Sequence, residues 1–305
     1  MLRPDNAAIG ALVESNGIAD DYEALRRRMR LDGYVFVRGL IDPDVVAAAG
    51  TRAAATLVAA GWTNSDATAK EPTRSADIRD PGYRAIAMSP GVNRLPYESG
   101  PQRLMGLLAG DGAFVYPVKV PRVVYPDRLD NGHKGRFVHQ DYNVIGKQDM
   151  FTMWMPLQEI PRSLGPLAVL PGSSRRGWST PHRLSPAEPG WVTAHFQPGD
   201  VLIFHCLTWH AALPNTTDQL RLSVDARWQL AQEPVPRNLL QGPLQRRDGG
   251  ELFARAFSNQ RWWHPVPHGL YVTESVAPPP GALIPASRYV DFPDGLRQQW
   301  SRTTH

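Results

Sequence analysis

The chain has 305 residues, 42% hydrophobic and 20% charged, a balance that allows a sizeable buried core and excludes a wholly disordered chain. Its net charge of +4 and pI near 9.3 are only mildly basic, and the arginines are scattered, so no nucleic-acid-binding stripe is expected. The single cysteine, Cys206, excludes an intrachain disulfide framework, and the expectation is a cytoplasmic protein without a secretory signal or membrane span.

Asp20 and Glu23 have the spacing of a capping box, and Tyr22, Leu25 and Met29 recur on one face, predicting a helix over 21–31 that stops at Gly33. The basic cluster Arg26-Arg27-Arg28-Met29-Arg30 falls on that helix and reads as a solvated face. Residues 34–38 read as a short strand, and Asp42-Pro43 opens a second helix that runs through the alanines to about Gly61. Over 62–101 periodicity is lost amid charge, Gly and Pro, so a long lid-like loop is expected, followed by a short helix over 103–108.

The centre changes character. Strand-like runs at 114–119, 122–125, 136–141, 151–157, 167–170, 201–204, 208–211 and 220–228 are separated by turn chemistry such as Asp130-Asn131-Gly132, Leu164-Gly165-Pro166, Pro171-Gly172-Ser173, Pro198-Gly199-Asp200 and Pro214-Asn215. That succession predicts an antiparallel barrel or sandwich. Beyond Gln229 the chain is irregular, with helices predicted over 251–257 and 294–301. The expected organisation is a single domain: N-terminal helices and lid over 1–112, a β core over 113–230 and a wrapping segment over 231–305.

Within Phe137-Val138-His139-Gln140-Asp141-Tyr142, a regular strand would project His139 and Asp141 from one face, where an imidazole and a carboxylate can share a metal ion. His210 offers a third ligand. If Pro214-Asn215-Thr216-Thr217 joins two antiparallel strands, Leu213 faces Asp218, His210 faces Arg221 and Thr208 faces Ser223. Two histidines and one carboxylate leave metal positions open for a 2-oxo acid and dioxygen. A guanidinium at Arg221, helped by Ser223, could grip the far carboxylate of a dicarboxylate co-substrate.

On these residues the chain resembles the phytanoyl-CoA dioxygenase family of iron(II)- and 2-oxoglutarate-dependent oxygenases. The resemblance rests on His139-Gln140-Asp141, on Gly165-Pro166-Leu167 through Pro171-Gly172-Ser173, on Pro198-Gly199-Asp200, His210 and Pro214-Asn215, and on Arg221 eleven residues after His210. Asp32-Gly33-Tyr34-Val35 and Asp42-Pro43 extend it over most of residues 20–230. It implies a mainly β fold with flanking helices around a double-stranded β-helix, the cupin-like jelly roll. It also implies Fe(II) on His139, Asp141 and His210, with 2-oxoglutarate on Arg221 and dioxygen as the oxidant. The reaction implied is hydroxylation or another oxidation of a small molecule, coupled to formation of succinate and carbon dioxide. Halogenating relatives replace the carboxylate at the Asp141 position with a small residue. The sequence departs from the family pattern at Ser174, where a histidine is frequent, and at Ala212, where a glycine or small polar residue is frequent.

Other residues keep two readings. Trp154 either lines the co-substrate pocket or fills the barrel, and Lys119 and Arg122 are either edge-strand charges or contacts to an anionic substrate. Gln140 and His205 fall on the opposite side of their strands from the ligands and read as structural, while Tyr142 and Asn143 fall at the barrel mouth. A cupin-like isomerase or hydrolase that works without 2-oxoglutarate is the alternative enzyme, and a catalytically silent binding module the alternative outside enzymology.

Overall fold

In the stretch Arg221-Leu222-Ser223-Val224-Asp225-Ala226-Arg227-Trp228-Gln229-Leu230, polar and apolar residues alternate strictly. A strand with that pattern presents two different surfaces, and here all ten residues are buried. Both surfaces are therefore covered, one by apolar packing and the other by polar partners. The computed structural model that reveals this arrangement describes residues 9–70, 80–129, 138–145, 149–178, 188–240, 251–274 and Tyr289.

The described residues contain strands β1 (Gly10–Ala11), β2 (Tyr34–Val37), β3 (Ala113–Val124), β4 (Phe151–Pro156), β5 (Leu167–Val169), β6 (Val192–Thr193), β7 (Val201–His205), β8 (His210–Ala212), β9 (Arg221–Leu230), β10 (Val235–Pro236) and β11 (Val272–Thr273). The helices are α1 (Tyr22–Asp32), α2 (Pro43–Ala59), α3 (Pro81–Ala87), α4 (Pro90–Arg94), α5 (Ser99–Ala109), α6 (Tyr142–Ile145) and α7 (Glu251–Phe257). A larger sheet has the order β2-β7-β4-β9-β3, a smaller one the order β1-β6-β5-β8, and β10 pairs with β11.

On the outer face of the larger sheet, Val35, Val37, Met153, Met155, Val201, Ile203, Leu222, Val224 and Trp228 pack against Leu25 and Met29 of α1, Val46, Ala53 and Leu57 of α2, and Leu104, Met105 and Leu108 of α5. On the inner face, Tyr34, Phe36, Trp154, Leu202 and Phe204 meet Leu167 and Val169 of the smaller sheet. This is a mainly β jelly roll of the double-stranded β-helix type with helices on one outer face, as expected.

Local chemistry accounts for the N-terminal helices. Asp42 caps α2 by accepting from Asp44 N at 2.9 Å, with Pro43 in the first turn. In α1 the cap is Asp21, not Asp20: its Oδ1 accepts from Ala24 N at 3.0 Å. The loop expected over 62–101 is instead helical at α3, at α4 and at the start of α5. Pro81 and Pro90 read as loop punctuation, but each sits at the start of a helix, where a missing N–H costs nothing.

Three expectations about strands are corrected. The runs 114–119 and 122–125 are one strand, β3, whose pairing shifts register between Val115 and Lys119. The described part of 136–141 is no regular strand, because His139 forms a single antiparallel bridge to His210 and α6 begins at Tyr142. The β8–β9 hairpin does not form. Strand β8 pairs with β5 in the smaller sheet, whereas β9 lies between β4 and β3 in the larger one, so His210 faces Val169 and Arg221 faces Val124. Ser223 correspondingly faces Arg122 and Pro156 rather than Thr208. Asn215 O accepts from Asp127 N and Thr216 N donates to Ser163 O, both at 2.8 Å, so the backbone of the supposed turn is engaged by other loops. The turn at Asp130-Asn131-Gly132 and the helix over 294–301 lie outside the described residues.

Candidate metal and co-substrate site

His139 and His210 exchange backbone hydrogen bonds, N to O at 3.1 Å in each direction, which sets their rings 4.2 Å apart centre to centre. Asp141 follows where the chain turns into α6, and its Oδ1 lies 3.7 Å from both His139 Nε2 and His210 Nε2. One ligand atom from each of the three residues falls within 4.8 Å of the others. The ligands thus converge through a bridge across the mouth of the barrel and the turn after it.

Neighbouring groups fix how each ligand presents itself. His210 Nδ1 lies 3.0 Å from the Thr208 carbonyl, which places its proton on Nδ1 and leaves the Nε2 lone pair toward Asp141. The other carboxylate oxygen of Asp141, Oδ2, accepts from the Thr152 hydroxyl on β4 and lies 3.6 Å from Arg227 Nη2. Arg227 is also 3.7 Å from Asp225 Oδ2, to which Arg122 Nε donates at 2.6 Å. The polar face of β9 therefore continues the charge network that ends on Asp141.

This environment sets the protonation states. Burial raises the Asp141 carboxyl, but Arg227, His210, His139 and the Thr152 hydroxyl together hold it well below the usual carboxylate range. Burial, reinforced by His139, pushes His210 down to about 4. An ionised carboxylate beside a neutral imidazole is the state that metal binding requires. Two imidazole nitrogens and one carboxylate oxygen with open positions suit non-haem iron(II). His139 is the more accessible histidine of the triad, its side chain 21% exposed against 6% for His210.

Arg221 is buried on the inner face of β9. Its Nη1 donates to Ser223 Oγ at 2.6 Å, and its Cζ lies 5.8 Å from the centre of the Trp154 ring. Trp154 is buried edge-on against Phe196 with ring centres 4.7 Å apart, and its indole N–H has no partner among the described residues. A buried orphan donor beside a guanidinium fits an anionic co-substrate.

The remaining candidates are placed clearly. Gln140 Nε2 donates to the carbonyls of Gly177 and Leu207, a structural role. His205 stands opposite Phe151 on the outer face, away from the triad. Lys119 also faces outward, opposite Ala226, where its Nζ donates to Tyr97 Oη and to the Tyr116 carbonyl. Arg122 faces inward. Tyr142 and Asn143 both contact Trp178. Thr152, Asp225 and Arg227 belong to no motif that marks them in the sequence, although alternating polar residues in an apolar strand flag the last two. A separate apolar cavity of about 510 Å³, lined in part by Ala54, Val58, Leu157 and Leu222, lies on the α2 side of the larger sheet.

A jelly roll with a His-Asp-His cluster at its mouth and a buried arginine on an inner strand defines a class, the non-haem iron oxygenases that use 2-oxoglutarate. The family description "Phytanoyl-CoA dioxygenase (PhyH)" matches residues 29–223, and the chain belongs to that family. The 1-deoxypentalenic acid 11-beta-hydroxylase of Streptomyces arenae is 29% identical over 243 residues, covering 70% of this chain and 83% of the relative. That of Streptomyces exfoliatus is 28% identical over 244 residues, covering 72% and 85%. The fold matches EctD from S. alaskensis with bound Fe at a TM-score of 0.53 and 18% identity, covering 80% of this chain and 87% of that one. As a member of that family the protein is an oxygenase dependent on iron(II), 2-oxoglutarate and dioxygen. No helix among the described residues is long and apolar enough to cross a membrane.

Proposed function

We propose that His139, Asp141 and His210 bind the iron(II), that Arg221 with Ser223 and Trp154 holds 2-oxoglutarate, and that the enzyme hydroxylates an unactivated C–H bond of a small biosynthetic intermediate. The observation that carries this reading is the convergence of both Nε2 atoms on Asp141 Oδ1 at 3.7 Å while Oδ2 is occupied elsewhere. When bound, the iron with its co-substrate and dioxygen supplies the oxidising power, coupling decarboxylation of 2-oxoglutarate to succinate and carbon dioxide with oxidation of the substrate.

The protein's own groups prepare that chemistry. Thr208 holds the His210 tautomer through its carbonyl, and Thr152 and Arg227 hold Asp141 in one orientation. Arg221 would hold the far carboxylate of the co-substrate, as a guanidinium can, while Ser223 steadies the guanidinium and the Trp154 indole N–H would supply a further donor. Because Asp141 keeps its carboxylate, the position that halogenating relatives open for halide is filled, which favours hydroxylation; the hydroxylase names of the Streptomyces relatives support the same outcome. The protein works as one domain in the cytoplasm, with no nucleic-acid partner.

The test uses protein purified without oxygen, then given iron(II), 2-oxoglutarate and air. Succinate formation is expected, together with loss of 2-oxoglutarate binding in Arg221→Ala. Absence of any 2-oxoglutarate turnover, with unchanged binding in that variant, overturns the reading.

A further inference from the structure

Arg122 stands on the inner face of β3, opposite Ser223 and therefore one strand away from the groups assigned to 2-oxoglutarate. Its Nε donates to Asp225 Oδ2 at 2.6 Å, and among the described residues Asp225 is its one hydrogen-bond and ion-pair partner. The side chain is 34% exposed although its partner Asp225 is only 7% exposed. The Nε edge of the guanidinium is thus fixed to the wall, while about a third of the side chain stays accessible.

The rest of β3 shows what lies beside it. Lys119, Pro121 and Val123 are buried, whereas Val118, Val120, Arg122 and Val124 are half-buried. Lys119 and Val123 face Ala226 and Leu222 on the outer side, while Val120 and Val124 face Asp225 and Arg221 on the inner side. The inner side of β3 thus stays partly accessible at Val120, Arg122 and Val124, a guanidinium between two valines.

The charges on that side are unequal. Among the described residues, the inner face of the larger sheet and the adjoining turn carry three arginines, Arg122, Arg221 and Arg227, against two aspartates, Asp141 and Asp225. Iron(II) and the 2-oxoglutarate dianion cancel each other, so one positive charge is left over in a low-dielectric site. Of the three arginines Arg122 is the one that reaches water, its side chain 34% exposed against 11% for Arg227, with Arg221 buried.

We propose that Arg122 anchors the substrate, and that the substrate is a monocarboxylic acid with an apolar body whose carboxylate takes the two Nη groups. This rests on the reading of the neighbouring site as the iron and 2-oxoglutarate centre. Asp225 pre-aligns the guanidinium, so little ordering is needed on binding. The valines accept the hydrocarbon, and the fixed carboxylate end decides which carbon lies near His139.

The test measures binding by calorimetry to protein loaded with iron(II) and 2-oxoglutarate under anaerobic conditions. The probes are cyclohexylacetic, adamantanecarboxylic and abietic acids, each beside its methyl ester. Acids are expected to bind wild type at least about tenfold more tightly than their esters, as a charge-assisted bidentate contact implies. In Arg122→Gln, whose amide can still donate to Asp225, the ratio falls to near one; Arg122→Lys, which keeps the charge without the two-pronged contact, recovers part of it. Equal binding of acid and ester by wild type overturns the proposal, as does failure of every acid to bind or an acid preference that survives in Arg122→Gln. A loss of 2-oxoglutarate affinity in Arg122→Gln with the acid preference intact also overturns it and assigns Arg122 to the co-substrate. Succinate formation by wild type separates the two readings: turnover without acid preference sinks the anchor alone, whereas absence of turnover sinks the site reading and the anchor with it.

Discussion

Thr152 on β4 donates its hydroxyl to Asp141 Oδ2, so the carboxylate that faces two imidazoles with one oxygen is tied to the barrel wall by the other. Arg227 reinforces the tie from β9. Groups that orient a ligand affect metal affinity by about 10–100-fold when removed, and here they leave Asp141 only one oxygen facing the two imidazoles.

Thr152→Val keeps the shape of the side chain and removes its donor. Iron(II) or cobalt(II) affinity is expected to fall by about tenfold or more, with the melting temperature of the metal-free protein changed little. Thr152→Ser should recover most of the affinity. The readout is a metal titration followed by absorbance, which separates loss of orientation from loss of fold. Equal metal affinity in the valine variant and wild type would rule out the orienting role.

Arg221 and Ser223 predict a graded pair. Removing a buried charged partner costs about 2–5 kcal/mol, so Arg221→Ala should raise KM for 2-oxoglutarate by at least about 30-fold. Ser223→Ala removes only the hydroxyl that accepts from Nη1 at 2.6 Å and should cost about tenfold or less. Arg221→Lys keeps the charge but cannot form the two-pronged contact, and it should fall between them. Steady-state kinetics in 2-oxoglutarate at saturating iron check the order, and a serine variant worse than the arginine variant would contradict it.

The residues of this site were more legible in the sequence than the geometry that joins them. His139, Asp141, His210 and Arg221 could be picked out by order and spacing, but the inferred hairpin between His210 and Arg221 does not exist: they stand in different sheets. A local turn pattern says that the chain reverses, while the partner of each strand is decided by contacts from far away in the sequence. Thr152 and the Thr208 carbonyl left no mark because a lone threonine in an apolar strand looks like packing and a carbonyl has no letter. Asp225 and Arg227 did leave one, as charged residues in a strand buried on both faces. The helices α3 and α4 were hidden because proline at a helix start and proline in a loop read alike.

Gly50 marks a contact where a backbone, rather than a side chain, sets the distance between layers. A Cβ there would stand 1.8 Å from the Leu157 carbonyl oxygen, which cannot swing aside. Gly106 in α5 has nothing within 4 Å of the same position. Helix propensity favours alanine over glycine by about 1 kcal/mol, so Gly106→Ala should stabilise by up to that amount. Gly50→Ala should instead destabilise by about 2–3 kcal/mol, since α2 must lift off the sheet. Denaturant unfolding of the two variants gives shifts of opposite sign, and a stabilised Gly50→Ala would show that the close approach is not needed.

Buried His210, the proposed ligand, makes the metal-free protein sensitive to acid in a defined window. Burial and His139 lower His210 from 6.5 to about 4 in the folded chain, so between those values the unfolded chain binds a proton that the folded chain refuses. Stability that is present above about 6.5 is therefore lost as pH falls toward about 4, on the order of 3 kcal/mol at most. Asp141 has the same sign but a lower window: its folded value lies below 3.8, so its contribution is lost only under more acidic conditions. His210→Asn keeps a donor for the Thr208 carbonyl and cannot titrate. Unfolding of the metal-free protein across the window is expected to show a shallower pH slope in this variant than in wild type. If the two slopes coincide, His210 is not the group that carries the acid sensitivity.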